Sequence, residues 1–224
     1  MAEPAAALAL LTLVFGLAFS APPLGRDFAL FYASGYLPFM FYSDLAQKIG
    51  VALRFSRPLL AYPAVSWFDA LVARFVLAVL THAVVIALML GGLWAISPAP
   101  PQPDIPMLIS GLLLAAGLGL SLGALNAFLF GMFPVWERLW AILNRPLFIL
   151  SGVLFLPEAV PDPYGSWLRL NPLVHVIGIT RAGIFGGYVP EGASALYVSG
   201  LSLAALALAL IFLRRHARNI LADG

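Results

Sequence analysis

The stretch SGVLFLPEAVPDPYGSWLRLNPLVHVIGITRAGIFGGYVPEG, residues 151–192, lies between two runs of nearly continuous hydrocarbon. Pro157, Pro161 and Pro163 stop the helix that precedes it. Tyr164 to Leu170 suits one short helix, Asn171-Pro172 breaks it, and Leu173 to Phe185 suits a second that Gly186-Gly187 ends. Neither has the length of about 17–25 residues that a bilayer crossing takes. Two short helices joined at a break are expected to dip into one leaflet and return. That is tolerated only where protein or a water-filled cavity satisfies their ends.

The rest of the chain agrees with a membrane setting. Its 224 residues are 62% hydrophobic and 10% charged, whereas about a quarter of a soluble domain carries charge. The formal charge of +2, spread over several loops, gives no clustered basic face for nucleic acid. Cysteine is absent, which excludes disulfides, thiolate nucleophiles and thiolate-bound metals. The first apolar run follows MAEP, an n-region with an acid and no base, so it reads as a first span rather than a secretory signal.

Polar punctuation divides the chain into six expected crossings: Ala5 to Ser20, Phe28 to Ile49, Trp67 to Ile96, Ile105 to Phe133, Leu139 to Leu156 and Ser194 to Leu213. A tight PVWER turn is expected between the fourth and fifth, and residues 50–66 read as a short surface helix and turn. One set of loops holds Lys48, Arg54, Arg57, Arg138, Arg214, Arg215 and Arg218, and the other Arg26, Arg169 and Arg181. The richer set faces the cytoplasm, with both termini, and residues 157–193 face outward.

Within the spans, Ala115, Gly119, Gly123, Ala127 and Gly131 form a small-residue stripe, read as a helix-packing surface within the subunit or across a dimer. Phe28, Phe31, Tyr32, Tyr36, Phe39 and Tyr42 fall within an arc of about 140°. Periodicity favours core packing and an interfacial belt for them over a sugar path. Pro38 is expected to kink that helix. Asp44, Asp69, Arg74 and His82 are the ionisable groups noted inside spans, and helix-end solvation and structural pairing are favoured for them. No phosphate-binding G-x-x-x-x-G-K-[ST] occurs, the sole lysine, Lys48, being followed by Ile49. H-E-x-x-H and G-x-S-x-G are also missing, so enzymatic chemistry has no visible home.

SGVLFLP, a short helix, NPLVHVIGITRAGIFGGY and a final span together resemble the membrane subunit of ABC-2 type exporters, in the branch that exports capsular polysaccharide and O-antigen chains. The resemblance extends through GYLPFMFY and RPLLAYPAVSWFDALVARF and covers essentially the whole chain as one transmembrane domain, residues 1–224. It implies an all-α integral membrane protein with six transmembrane helices and two re-entrant periplasmic gate helices between spans 5 and 6. It further implies a homodimer in the bacterial inner membrane, joined to two copies of a separate ATPase that holds ATP and Mg, with no cofactor on this chain. The cargo it implies is a lipid-linked polysaccharide.

On that resemblance Trp167, Arg169, Asn171, Pro172, His175 and Arg181 belong to the gate. Arg54, Arg57, Pro58, Tyr62 and Pro63 belong to the ATPase contact, and the aromatic stripe becomes a candidate sugar path. Family members normally begin with a cytoplasmic amphipathic helix ending in a run like Ala2-Glu3-Pro4, so Met1 is expected to be a late start that omits it. The alternatives are an ABC-2 permease for a teichoic-acid-like polymer, a lipid or a drug, a membrane-embedded transferase, and a scaffold without transport.

Overall fold

The computed structural model describes residues 2–60, 62 and 64–223, and the side chains of all of these except residues 2, 3, 218, 219 and 221–223. Met1, on which the start-site expectation falls, and Pro63 lie outside them. The described residues are helical, with no strand: α1 (Ala2–Ala18), α2 (Phe28–Gly50), α3 (Ala52–Phe55), α4 (Arg57–Leu60), α5 (Trp67–Ile96), α6 (Ile105–Met132), α7 (Pro134–Leu150), α8 (Tyr164–Leu168), α9 (Pro172–Ile184) and α10 (Ala195–Asp223). Helices stand at all six expected span positions. Those over Trp67–Ile96, Ile105–Met132 and Ala195–Ala217 are long and apolar enough to cross a bilayer by length and composition.

Three boundaries differ from the sequence expectation. PVWER is the first turn of α7 rather than a loop, because proline at the first helical position needs no backbone donor and its φ is already helical. α7 also stops at Leu150 rather than Leu156. Gly152, at φ +73°, takes the left-handed conformation that ends helices, and its N–H reaches the Ile149 carbonyl at 3.2 Å. α10 runs on through RRHARNIL, well past Leu213. Pro38 and Pro146 both sit inside continuous helices.

The contacts group into two compact units, and α2, α5, α6 and α7 contribute residues to both. The first unit comprises Met1–Met40, His82–Ala115 and Leu147–Ala195. Its centre is α9, buried at every position from Leu173 to Ile184. A helix buried on all sides must be apolar on all sides, as this one nearly is. Its ends are satisfied by the chain itself. Asn171 caps the start by accepting from the Leu173 N–H at 3.0 Å. At the other end the Asp104 N–H donates to the Gly183 carbonyl at 2.8 Å, and the Gly186 N–H to the Gln102 carbonyl at 3.0 Å. α6 lies so close to α9 that a Cβ on Gly111 would meet Thr180 and one on Gly183 would meet the Leu108 backbone.

The second unit comprises Phe41–Thr81, Ala116–Pro146 and Leu196–Gly224. Here the small-residue stripe of α6 is used inside the chain. A Cβ on Gly119 would stand 2.8 Å from Leu45, one on Gly123 2.8 Å from Ile49, and one on Gly131 would strike Ile220 of α10. Phe128 stacks on Phe212 with ring centroids 5.0 Å apart. Small residues do this because helices in lipid gain from close van der Waals approach, with no hydrophobic drive between them.

Replacing Gly183 by alanine forces backbone apart and is expected to cost about 1–3 kcal/mol. Gly117→Ala, with nothing within 4 Å of the added carbon, is expected to be neutral or slightly stabilising. Thermal unfolding of the detergent-purified variants separates the two, and equal midpoints would contradict the close crossing.

Candidate functional site

In the first unit the segment after α7 returns through a short 3-10 turn, Pro157–Ala159, and α8 to the buried α9. Arg181 fixes this return. Its side chain is fully buried, yet among the described residues no carboxylate stands within ion-pair distance of it. Instead Nη2 donates to the Val153 carbonyl at 2.9 Å, Nη1 to the Phe155 carbonyl at 3.0 Å and Nε to the Ser34 hydroxyl at 3.2 Å. The guanidinium carbon stands 4.6 Å from the Phe31 ring centroid, a cation–π contact. Ser34 Oγ in turn donates to the Phe31 carbonyl at 2.6 Å.

Gly35 makes room for this arrangement, since a Cβ there would stand 2.9 Å from the Val153 oxygen and 3.1 Å from Arg181 Nη2. The planar fork of arginine suits two carbonyls held side by side, which one ammonium cannot bridge equally. Burial without a carboxylate is costly, and here the cost is met by oriented dipoles and a ring face.

A second clip lies near the other end of α9. His175 Nδ1 accepts the Ser194 N–H at 3.2 Å, so Nε2 carries the ring proton and donates to the Arg169 carbonyl at 2.7 Å. Asn171 Nδ2 reaches the Ser151 hydroxyl at 3.0 Å and the Leu150 carbonyl at 3.3 Å. Arg169 pairs with Glu191 at 3.8 Å. Glu158 accepts from the Tyr188 hydroxyl at 2.7 Å and the Glu191 N–H at 3.2 Å. Trp167 is exposed, edge-on to Tyr164 at 6.1 Å. Of the residues expected at a gate, Asn171, His175 and Arg181 bond within this segment, Pro172 opens α9, Arg169 meets Glu191, and Trp167 is exposed.

The aromatic stripe is mostly inside the chain's own packing. Phe31, Tyr32, Phe39 and Tyr42 are buried, and Phe28 and Tyr36 are half-buried. Phe28 lies 6.3 Å from Tyr32, while Tyr36 and Phe39 meet the Phe148 ring edge-on at 6.2 and 5.1 Å.

In the second unit α3 and α4 form a small projection tied down by Arg54, whose two terminal nitrogens donate to the Glu137 carboxylate at 2.8 and 2.9 Å. The Arg74 guanidinium lies 3.6 Å from the Phe55 ring centroid. Arg57, Pro58, Leu59 and Tyr62 are exposed on this projection. Beside it is a cavity of about 710 Å³ whose lining includes Gln47, Arg54, Arg57, Glu137 and Arg138.

Sequence reasoning found Arg181 but not its acceptors, because main-chain carbonyls leave no residue-type signal. It also missed the partnership of Arg54 with Glu137, 83 positions away, and it passed over Arg145 inside α7. Arg181→Met, which keeps the bulk and removes every donor, is expected to destabilise the protein by roughly 3 kcal/mol or more. The basis is three lost charge-assisted bonds at about 1.5–3 kcal/mol each, partly offset because no charge is left buried. Arg181→Lys is expected to fall between. An unfolding midpoint for Arg181→Met equal to that of the wild type would contradict the clamp.

The sequence profile of the ABC-2 type transporter family matches residues 4–185. Among curated proteins the chain is similar to the polysialic acid transport protein KpsM of Escherichia coli, 27% identical over 98% of this chain and 85% of that protein. It is also similar to the capsule polysaccharide export inner-membrane protein CtrC of Neisseria meningitidis serogroup B, 23% identical over 85% of this chain and 72% of the other. For the capsule polysaccharide export inner-membrane protein BexB of Haemophilus influenzae the identity is 22%, with the same coverage. With the family profile spanning most of its length, this chain belongs to the ABC-2 type transporter family.

Proposed function

We propose that this chain is the permease subunit of an ABC exporter that carries a lipid-linked polysaccharide of capsule or O-antigen type across the bacterial inner membrane. The observation that carries the reading is α9, only 13 residues long and buried from Leu173 to Ile184, in a chain that belongs to the ABC-2 family and resembles capsule exporters. A buried apolar helix this short, with both ends satisfied by its own chain, suits a re-entrant hairpin at one face of a transport path. On this reading α1, α2, α5, α6, α7 and α10 are six crossings of a single transmembrane domain, and α8 and α9 are the periplasmic gate. Both termini are then cytoplasmic. α1 and α7, at 17 residues each, stand at the lower limit for crossing.

The working assembly is two copies of this chain and two copies of an ATPase, which supplies ATP and Mg. Cargo follows the side of α2 where Tyr36 and Phe28 keep partial exposure, with Phe31, Tyr32, Phe39 and Tyr42 shaping the wall from beneath. The α3–α4 projection meets the ATPase through Arg57, Pro58 and Tyr62, together with Pro63. Exposed Tyr62 and Arg57, with Leu59 beside them, suit a docking site, because tyrosine and arginine anchors dominate such interfaces. Arg54 transmits load from this projection to α7 through Glu137.

Deleting the gene in its host tests the function. Surface polysaccharide is expected to vanish and polymer to accumulate in the cytoplasm, with recovery on complementation. Unchanged surface polymer in a strain shown to lack a second exporter points to another cargo. The docking assignment is read separately. Leu59→Asp with Tyr62→Ala is expected to reduce ATPase co-purification about tenfold or more. Arg54→Glu is expected to impair export, and Arg54→Glu with Glu137→Arg to restore part of it. Undiminished export in the single charge variant would remove the load-bearing role.

A further inference from the structure

α7 contains no buried residue. Its exposed side chains include two arginines, Arg138 and Arg145, in a helix otherwise dominated by apolar groups. At 100° per residue these two stand within about 20° of one another and about 10 Å apart along the axis, with Ala141 between them on the same flank. The orientation is set from the other side of the helix. Trp136 Nε1 donates to Asn126 Oδ1 at 3.1 Å, and Asn144 Nδ2 donates to the Ser43 hydroxyl. The exposed Leu139, Leu143 and Leu150 are rotated away by about 100–140° from Arg138, while the exposed Ile142 and Ile149 share the arginine flank.

An arginine inside a crossing helix is expensive in lipid, about 2.5–3.5 kcal/mol at the helix centre, and such groups face a water-filled cavity or a partner charge. A cavity is present on this flank, and Pro134, Glu137, Arg138 and Ala141 of α7 line it. Arg145 is the next turn along. Among the described side chains of this unit no acid is left to serve as a counter-charge: Asp44 pairs with Lys48 at 2.6 Å, Asp69 accepts from the Ser66 N–H and hydroxyl at 2.8 and 2.7 Å, and Glu137 holds Arg54. Among the described residues neither Arg138 nor Arg145 has an ion-pair partner.

We propose that Arg138 and Arg145 form an oxyanion-binding ladder that receives the carboxylates or phosphates of the exported glycolipid. The inference rests on the permease reading and on α7 as its fifth crossing. The ladder gives the negative groups of the cargo successive sites along one flank of α7, and each cation gains most where water is scarce. Arg138 sits at the cavity and Arg145 one step deeper, so a bound anion can be passed from one to the other before it is released.

The test uses the full chain with its ATPase in lipid nanodiscs and three fluorescent probes: an oligosialic acid, a maltooligosaccharide of the same length and a short-chain phosphatidic acid. At least one acidic probe is expected to bind with an affinity that falls steeply as salt rises, and to lose about tenfold in Arg138→Gln and in Arg145→Gln. Arg145→Lys is expected to keep most of the binding, and the neutral probe to respond to none of the variants. A response confined to oligosialic acid identifies glycan carboxylates as the ligand, and one confined to phosphatidic acid identifies the phosphate of the lipid carrier. If neither acidic probe distinguishes Arg145→Gln from wild type, the ladder is wrong. Because Arg145 is exposed, its variants are expected to unfold at the wild-type temperature. The deletion strain reads export independently, so a failed ladder with intact export overturns this inference alone.

Discussion

A guanidinium buried without an acid is the constraint around which the first unit is built. Arg181 cannot be solvated where it lies, so its donors must all find oxygens, and the Val153 and Phe155 carbonyls and the Ser34 hydroxyl supply them. Each acceptor imposes a condition of its own. Two carbonyls two residues apart must face the same fork, which fixes the chain after α7 in one conformation. Ser34 must present its oxygen from α2, and residue 35 must have no side chain, because Val153 and the guanidinium occupy that space. A single side chain therefore joins three separate stretches of sequence: α2, the chain after α7, and α9.

The same economy of small residues governs both units. Gly111 and Gly183 bring α6 and α9 together in one, and Gly119, Gly123 and Gly131 bring α6 against α2 and α10 in the other. In lipid such contacts replace the hydrophobic drive that packs soluble helices. Polar side chains are then left for particular tasks: Asn171 and His175 clip the hairpin, Arg54 and Glu137 tie the α3–α4 projection to α7, and Asn144 and Trp136 fix how α7 is turned. On the exporter reading this is a division between a framed outer hairpin and a projection suited to receive force from a partner.

Much of this was legible from residue types. Pro, Gly and Asn-Pro punctuation placed the hairpin helices within a residue or two, because caps and breakers act locally, and apolar runs located all six long helices. The beginning and end of α7 were misplaced for equally local reasons: Pro134 starts a helix rather than a turn, and Gly152 ends one before any of the downstream prolines is reached. What sequence could not supply was partnership. Arg181 stood out as a polar residue in an apolar run, but its acceptors are main-chain atoms with no composition signature. Periodicity favoured core packing for the aromatic stripe and only the resemblance made it a candidate sugar path; four of its six rings are buried in the chain's own packing. Periodicity reports that a face exists, not what covers it.

The most direct measurement is transport by the reconstituted complex. This chain and its ATPase are placed together in proteoliposomes, with the nucleotide-binding face outward and a lipid-linked oligosaccharide in the outer leaflet, and protection of the glycan from an added glycosidase is followed over time. The account predicts that protection develops with ATP and Mg and does not develop with a non-hydrolysable analogue. Hydrolysis of ATP at a normal rate with the glycan remaining fully digestible would contradict it.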